Sequence, residues 1–365
     1  RPDHLGLYGY ARDTSPNLDA WSKSAVVFDQ AYAQAPNTPR SMPSILTGRY
    51  PSRIAWTKRF SNYSDLAPEE KTAFEVFQGA GWRTEAVTSH WYFENKAPSL
   101  KEGVDAWDNA GFLTIKESNT QSAAPDLTPR VVARLDALKD SEQPFFLFAH
   151  YFDPHSRYMQ QTSVRTYGKS LMDKYDSEIA FTDHHLKAVL DKLDEPGLRE
   201  DTIVVILSDH GEAFKEHGFY FHGRTVYNEE IKVPLMVRVP DVEPKRIDDV
   251  VGLIDVLPTL AALTGVEAPR ALGRSLLPWF SGIGEVPPAP VFLEQLPYPN
   301  YEEHVVGVVG PDRVKVIKNV TKNVIEVFDL KADPGETTNL LDRDEDAAKA
   351  LRETLLRFID ADPGE

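Results

Sequence analysis

The stretch Thr202-Ile203-Val204-Val205-Ile206-Leu207-Ser208-Asp209-His210-Gly211-Glu212 joins an unbroken aliphatic run to an Asp-His pair. Apolar residues without alternation suit a strand covered on both faces, as in a sheet held between two layers of helices. The polar pair then falls at the carboxyl end of that strand, the edge where open α/β sheets place their ligands. An Asp oxygen and a His nitrogen suit a divalent cation, and Gly211 lets another backbone approach closely. A helix cap followed by a surface histidine would give the same few residues, so the pair needs support from its surroundings. Downstream, His217 and His222 follow before the next strand-like run at Val233-Pro234-Leu235, so three of the chain's ten histidines fall within 13 residues.

Outward from this stretch, further strand-like runs appear at Val26–Phe28, Thr84–Thr88, Pro144–Tyr151 and Val233–Val239. Between them, Leu171, Tyr175, Ile179, Leu186, Val189 and Leu193 repeat at spacings of three, four or seven and predict a helix across 171–193. Ser15-Pro16-Asn17-Leu18-Asp19 reads as a capped helix start, and Asp255 to Gly265 as another helix stopped by its glycine. Strands alternating with helices predict an α/β fold. A Pro-rich bridge at 285–290 marks the expected boundary between a catalytic domain, 1–285, and a small C-terminal subdomain, 286–365. In the latter, runs at Val291–Leu293, Val305–Val309, Val314–Ile317 and Val324–Phe328 precede a helical pattern through Leu351, Leu355 and Phe358, which predicts a small antiparallel α+β unit.

Composition narrows the function. Forty Lys and Arg against 56 Asp and Glu give a net charge of −16, which repels polyphosphate backbones and argues against a nucleic-acid partner. A small anionic substrate remains compatible, because a bound cation reverses the local field. The absence of cysteine excludes disulfides, thiolate metal sites and a Cys nucleophile. No run of 18 apolar residues suggests a transmembrane segment; the longest largely apolar stretch, Pro144 to Phe152, has strand length.

Two more stretches carry chemistry. In Ala35-Pro36-Asn37-Thr38-Pro39-Arg40-Ser41-Met42-Pro43-Ser44-Ile45-Leu46-Thr47-Gly48-Arg49-Tyr50, a loop delivers a hydroxyl to a helix N-terminus, where partial positive charge favours bound oxyanions. In His150-Tyr151-Phe152-Asp153-Pro154-His155, histidines and a carboxylate stand at a strand's carboxyl end, placed to bind substrate or move protons.

Taken in order, these segments resemble the sulfatase family, within the alkaline phosphatase-like superfamily, over essentially the whole chain. Arg1-Pro2-Asp3-His4-Leu5-Gly6-Leu7-Tyr8-Gly9-Tyr10 with Ser15–Asp19 resembles its N-terminal signature, and Leu46-Thr47-Gly48-Arg49-Tyr50-Pro51 the end of its nucleophile motif. Ser208–Glu212 resembles its metal motif, and Phe328-Asp329-Leu330 with Asp333-Pro334-Gly335-Glu336 and Asn339-Leu340 its C-terminal signature. The resemblance implies a mostly parallel sheet flanked by helices and metal-dependent ester hydrolysis. It places the nucleophile nine positions before Thr47, at Thr38. Asp209 and His210 match metal ligands, joined by Thr38. His155 and His222 match groups that contact the anion or protonate the leaving oxygen, while Arg40, His217 and His90 are candidates for substrate binding.

The departures shape the expected chemistry. Sulfatases mature a Cys or Ser within Cys/Ser-x-Pro-x-Arg to formylglycine, whereas this chain has Thr38-Pro39-Arg40-Ser41-Met42. Threonine gives no such aldehyde, so no formylglycine is expected. A sulfate on threonine lacks the exit that an aldehyde hydrate provides, but a phosphothreonine is cleaved by metal-assisted in-line attack of water. At the position of the family's Gly-Lys-Trp-His, this chain reads Thr88-Ser89-His90-Trp91, so the sulfate-binding Lys is replaced. The family's first metal-binding Asp, with the strand that carries it, is expected just upstream of Arg1, together with any targeting segment. The expectation is then an ester hydrolase or transferase using one divalent cation (Ca²⁺, Mn²⁺, Mg²⁺ or Zn²⁺), with room for a second. Its substrate is a small anionic ester on a carbohydrate or lipid headgroup, and its location periplasmic, secreted or membrane-anchored rather than cytoplasmic. A true sulfuric ester hydrolase and a non-catalytic anion- or carbohydrate-binding relative are the alternatives.

Overall fold

The computed structural model describes residues 1–114, 116–118, 120–343 and 346–362. Up to residue 282 the elements are α1 (Pro16–Trp21), β1 (Val26–Tyr32), α2 (Thr38–Thr47), α3 (Ala73–Gly79), β2 (Arg83–Thr88), α4 (Trp91–Asn95), β3 (Ala106–Asp108), α5 (Ala124–Leu138), β4 (Phe145–His150), α6 (Leu171–Leu193) and β5 (Val204–Leu207). There follow a short hairpin of β6 (Ala213–Phe214) and β7 (Tyr220–Phe221), then α7 (Asn228–Ile231), β8 (Lys232–Arg238), β9 (Lys245–Gly252), α8 (Val256–Thr264) and α9 (Leu277–Ser281).

One sheet has the order β3-β2-β4 with all strands parallel; the other runs β5-β8-β1-β9. In the second, β8 is antiparallel to both β5 and β1, and β9 is parallel to β1, so β1, β5 and β9 point the same way. The α/β class expected from the sequence holds, with β8 as the reversed strand. Side chains alternate across the sheets as the pleat demands. Val26 and Phe28 pack with Met42, Leu46, Phe74, Phe77 and Leu257, whereas Val27 faces Trp21, Leu127, Val131, Leu190 and Leu193. Helices α2, α3 and α8 thus cover one face, and α1, α5 and α6 the other.

β4 and β5 each pair on one side only. Both line a cavity of about 830 Å³, together with Val131 and Leu135 of α5 and Leu186 and Leu190 of α6. This cavity explains a departure from expectation. Of β5 only Val204 is fully buried, and Phe145–Phe148 are half-buried, although their composition suits full coverage.

Two local expectations need amendment. Ser15 precedes α1 but does not cap it, because its hydroxyl donates to Asp19 Oδ1 and accepts from Gly6 N–H. The 256–264 helix does stop at Gly265, whose φ of 70° is the left-handed conformation that glycine adopts freely.

After residue 290, β10 (Val291–Gln295), β11 (Val305–Val309), β12 (Val314–Asn319) and β13 (Val324–Asp329) form an antiparallel meander followed by α10 (Asp346–Asp360). One face of the meander packs Val306, Val308, Val316 and Val327 against Leu351, Leu355 and Phe358. The other packs Val305, Val309, Ile317 and Phe328 against Tyr32, Val226, Ile231 and Val250 of the larger unit. Among the described residues no helix is long and apolar enough to cross a membrane.

Candidate active site

The carboxyl ends of β2, β4 and β5 deliver His90, His155 and the Asp209-His210 pair to one place, and the segment after β1 brings Thr38 as the first residue of α2. Thr38 Oγ1 lies 3.2 Å from His210 Nε2. The tautomer follows from the other nitrogen, since His210 Nδ1 donates to the Gly211 carbonyl at 2.8 Å and leaves Nε2 with a lone pair. Asp209 Oδ2 is buried, has no hydrogen-bond partner, and lies 3.6 Å from His210 Nε2. Burial alone would raise the Asp209 carboxyl, but the imidazoles of His210 and His150 and the Thr38 hydroxyl hold it below the ordinary value. The Ser41 hydroxyl of α2 donates to the Asp209 carbonyl and fixes the two loops together. Gly211 is required where it stands, since a Cβ there would lie 2.1 Å from the Glu229 carbonyl oxygen.

His222 packs against His210 at a ring separation of 4.3 Å and against His155 at 5.2 Å. The two potential proton donors differ sharply. Burial pushes His155 down to about 3, and its Nδ1 donates to the Ser156 carbonyl at 2.8 Å, so it stays neutral. Burial also works against charge on His222, but the Glu212 carboxylate, 3.1 and 3.3 Å from Nδ1, outweighs it and raises the pKa. Glu212 is held in turn by the Tyr158 hydroxyl. His90 is buried with both ring nitrogens unpartnered, stacks on Phe152 at 4.6 Å, and is pushed well below its ordinary pKa by burial.

Thr38, Asp209, His210, His155, His222 and His90 all line the same cavity. Arg40 and His217 do not. Arg40 is buried with its guanidinium 4.4 Å from the Trp56 ring and donates to the Arg59 and Ser61 carbonyls, so it braces a loop. His217 has Nδ1 2.7 Å from Glu229 Oε1 and Nε2 3.0 Å from the Glu336 carbonyl, and it stacks on Tyr227 at 3.7 Å. Burial opposes its charge, yet these acceptors raise its pKa to about 9. Asp153 caps α5, accepting from the backbone N–H groups of Ala123 and Ala124.

Sequence inspection gave no role to Glu212 or Tyr158. Glu212 had a usable signal, lying two positions after His210 in a run of site residues; Tyr158 sits in an irregular segment with none. For a divalent ion, the unpartnered Asp209 oxygen, the bare His210 nitrogen and the Thr38 hydroxyl are donors of the right chemistry. The set falls short of a full shell, because no group of three or more His, Asp or Glu side chains suited to a metal occurs among the described residues.

A family profile described as Sulfatase matches residues 1–266, and one described as N-sulphoglucosamine sulphohydrolase, C-terminal, matches residues 215–360. Arylsulfatase A of Homo sapiens is similar at 25% identity, covering 99% of this chain and 79% of that protein. Among solved structures, BT4656 in complex with its substrate D-glucosamine-2-N,6-O-disulfate superposes with a TM-score of 0.79 at 19% identity, covering 99% of this chain and 96% of that one. The phosphonate monoester hydrolase from Silicibacter pomeroyi gives 0.74 at 19% identity, with 97% and 92% covered.

Proposed function

This chain belongs to the sulfatase family of ester hydrolases, and we propose that it cleaves or transfers phosphate or sulfate esters through a covalent intermediate on Thr38. The observation that carries this proposal is the hydroxyl of Thr38, at the N-terminus of a ten-residue helix, 3.2 Å from a His210 nitrogen that carries a lone pair. The partial positive charge at that helix end favours an oxyanion beside the hydroxyl, although Pro39 has no N–H and those of Arg40 and Ser41 are taken by the Asn37 carbonyl. Thr38 Oγ1, its proton released to solvent, attacks the central phosphorus or sulfur in line. The ester bond to the leaving alcohol breaks, and His222, oriented by Glu212, whose carboxylate favours its charged form, supplies a proton to that oxygen. Water or an acceptor alcohol then releases the group from Thr38. Among family substrates, phosphorus esters suit this nucleophile best, because a threonine carries no second oxygen to expel sulfate.

Asp209 and His210 are the residues that would hold a divalent cation, with Thr38 as a third contact. Such an ion supplies charge that lowers the hydroxyl pKa and offsets the negative charge of the ester. A further carboxylate belongs to this proposal. The groove between β4 and β5 ends at Asp209 and His210, so a strand running through it from residues N-terminal to Arg1 would bring an Asp to the same point. The substrate classes named for the structural neighbours, a sulfated glucosamine and phosphonate monoesters, support an anionic ester, on a carbohydrate in the first case.

The test is turnover of aryl phosphate, phosphonate and sulfate esters with Mn²⁺, Ca²⁺ or Zn²⁺ added, by the parent chain extended at its N-terminus and by Thr38→Ala. Phosphorus-ester turnover lost in Thr38→Ala is expected. Sulfate turnover that persists in that variant would remove Thr38 from the chemistry. Absence of metal binding, with Asp209→Ala unchanged from the parent, would leave an anion-binding protein instead.

A further inference from the structure

Two residues beyond His222, Arg224 is exposed, and among the described residues no carboxylate pairs with its guanidinium. Its guanidinium lies 4.8 Å from the ring of Tyr301 and 5.6 Å from that of Phe219. The base of the side chain is fixed as well: the backbone N–H groups of Gly223 and Arg224 donate to the buried Glu230 carboxylate at 2.7 and 3.0 Å. Gly223 stands where three parts of the chain converge. A Cβ built there would meet Tyr298 Oη and Tyr301 Cε2, each at 3.1 Å, and Cβ of Asn37 at 3.6 Å. Its φ of +95° is one that glycine adopts without strain. Asn37 immediately precedes Thr38, so this arginine and its aromatic neighbours stand beside the nucleophile's helix. Phe219 and Tyr220 add exposed aromatic surface at 36% and 44%.

A guanidinium held beside aromatic rings keeps its planar fork of donors oriented, and that fork matches a carboxylate. What sets Arg224 apart from other cations without an acidic partner is its place beside Asn37 and between two aromatic rings. The neighbouring rings offer flat apolar faces to a cyclic ligand.

We infer that Arg224, Phe219 and Tyr301 form the subsite for the leaving alcohol, and that this alcohol is a ring bearing a carboxylate. The assignment rests on the proposed ester cleavage at Thr38, because that reaction defines which group leaves. Arg224 then selects among esters of the same reacting centre and takes no part in bond cleavage.

The experiment measures binding of product-like rings, which needs no turnover. With the full chain, 4-hydroxybenzoate is expected to bind about tenfold more tightly than phenol, the scale of one charge-assisted contact. In Arg224→Ala the two are expected to bind equally, and Arg224→Lys should keep part of the preference, since charge survives without the fork. Equal binding of the two rings by the parent, no measurable binding of either, or a preference retained in Arg224→Ala would overturn the inference. Thr38→Ala should retain the preference. If the parent shows the preference yet turns over no ester, the carboxylate subsite stands and the covalent proposal falls alone.

Discussion

The ion pair between Lys315 of β12 and Glu336 offers a prediction whose size follows from its surroundings. Both side chains are fully buried, Nζ lies 2.6 Å from Oε1, and both groups bind Asn228 of α7, through its Oδ1 at 3.2 Å and its backbone N–H at 2.6 Å. Burial pushes the Lys315 ammonium down and the Glu336 carboxyl up, and in each case it outweighs the attraction between them. A pair of this kind contributes little net stability, but either member left alone is a buried charge without a partner. Lys315→Met and Glu336→Gln should each therefore lose about 3–5 kcal/mol. The double variant should be more stable than the sum of the two losses implies, by a coupling of about 2–3 kcal/mol. The assay is guanidinium unfolding followed by far-UV circular dichroism and by tryptophan fluorescence. All six tryptophans lie at or before Trp279, so fluorescence reports the larger unit only. Because Asn228 belongs to that unit, the fluorescence transition should move in the single variants as well. Single variants within about 0.5 kcal/mol of the parent, the scale of ordinary surface changes, would refute this reasoning. So would a double variant as unstable as the sum of the two.

Three further outcomes are expected. His217 has a folded pKa of about 9 against an ordinary 6.5, so its contribution to stability is fully present below pH 6.5 and is lost as pH rises through 9. His217→Gln should flatten that part of the stability curve, and an unchanged curve would contradict the Glu229 pairing. Glu212→Gln should lower kcat by about 100-fold with KM little changed, because His222 loses the carboxylate that orients and charges it; a loss under threefold would dissociate Glu212 from the chemistry. Gly211→Ala should destabilise by about 1–3 kcal/mol as its methyl meets the Glu229 carbonyl, and a variant that melts like the parent would show that this contact yields easily.

Periodicity and strand composition made much of the architecture legible. The 171–193 pattern predicts α6 residue for residue, and each apolar run quoted from the sequence lies within or overlaps a strand. What escaped was polar or short. β9 begins Lys245-Arg246 and carries Asp248 and Asp249, because it lies at the sheet edge with only part of its length buried, so its pattern lacks the apolar signature. In the site, Thr38, Asp209, His210, His155, His222 and His90 could be gathered from strand ends and motif order. Arg40 and His217 show why the rest is harder to read: a charged residue near a motif reads alike whether it faces the substrate or binds protein acceptors. Only the partners decide, and here they are the Arg59 and Ser61 carbonyls in one case, Glu229 and Glu336 in the other.

The most direct test of covalent chemistry at Thr38 is intact-mass analysis of the N-terminally extended chain, quenched during turnover of an aryl phosphate and followed by peptide mapping. A mass gain of one phosphoryl group on the peptide containing Thr38, absent from Thr38→Ala, is predicted. Steady turnover with the adduct on another residue, or turnover that survives Thr38→Ala, would contradict the mechanism.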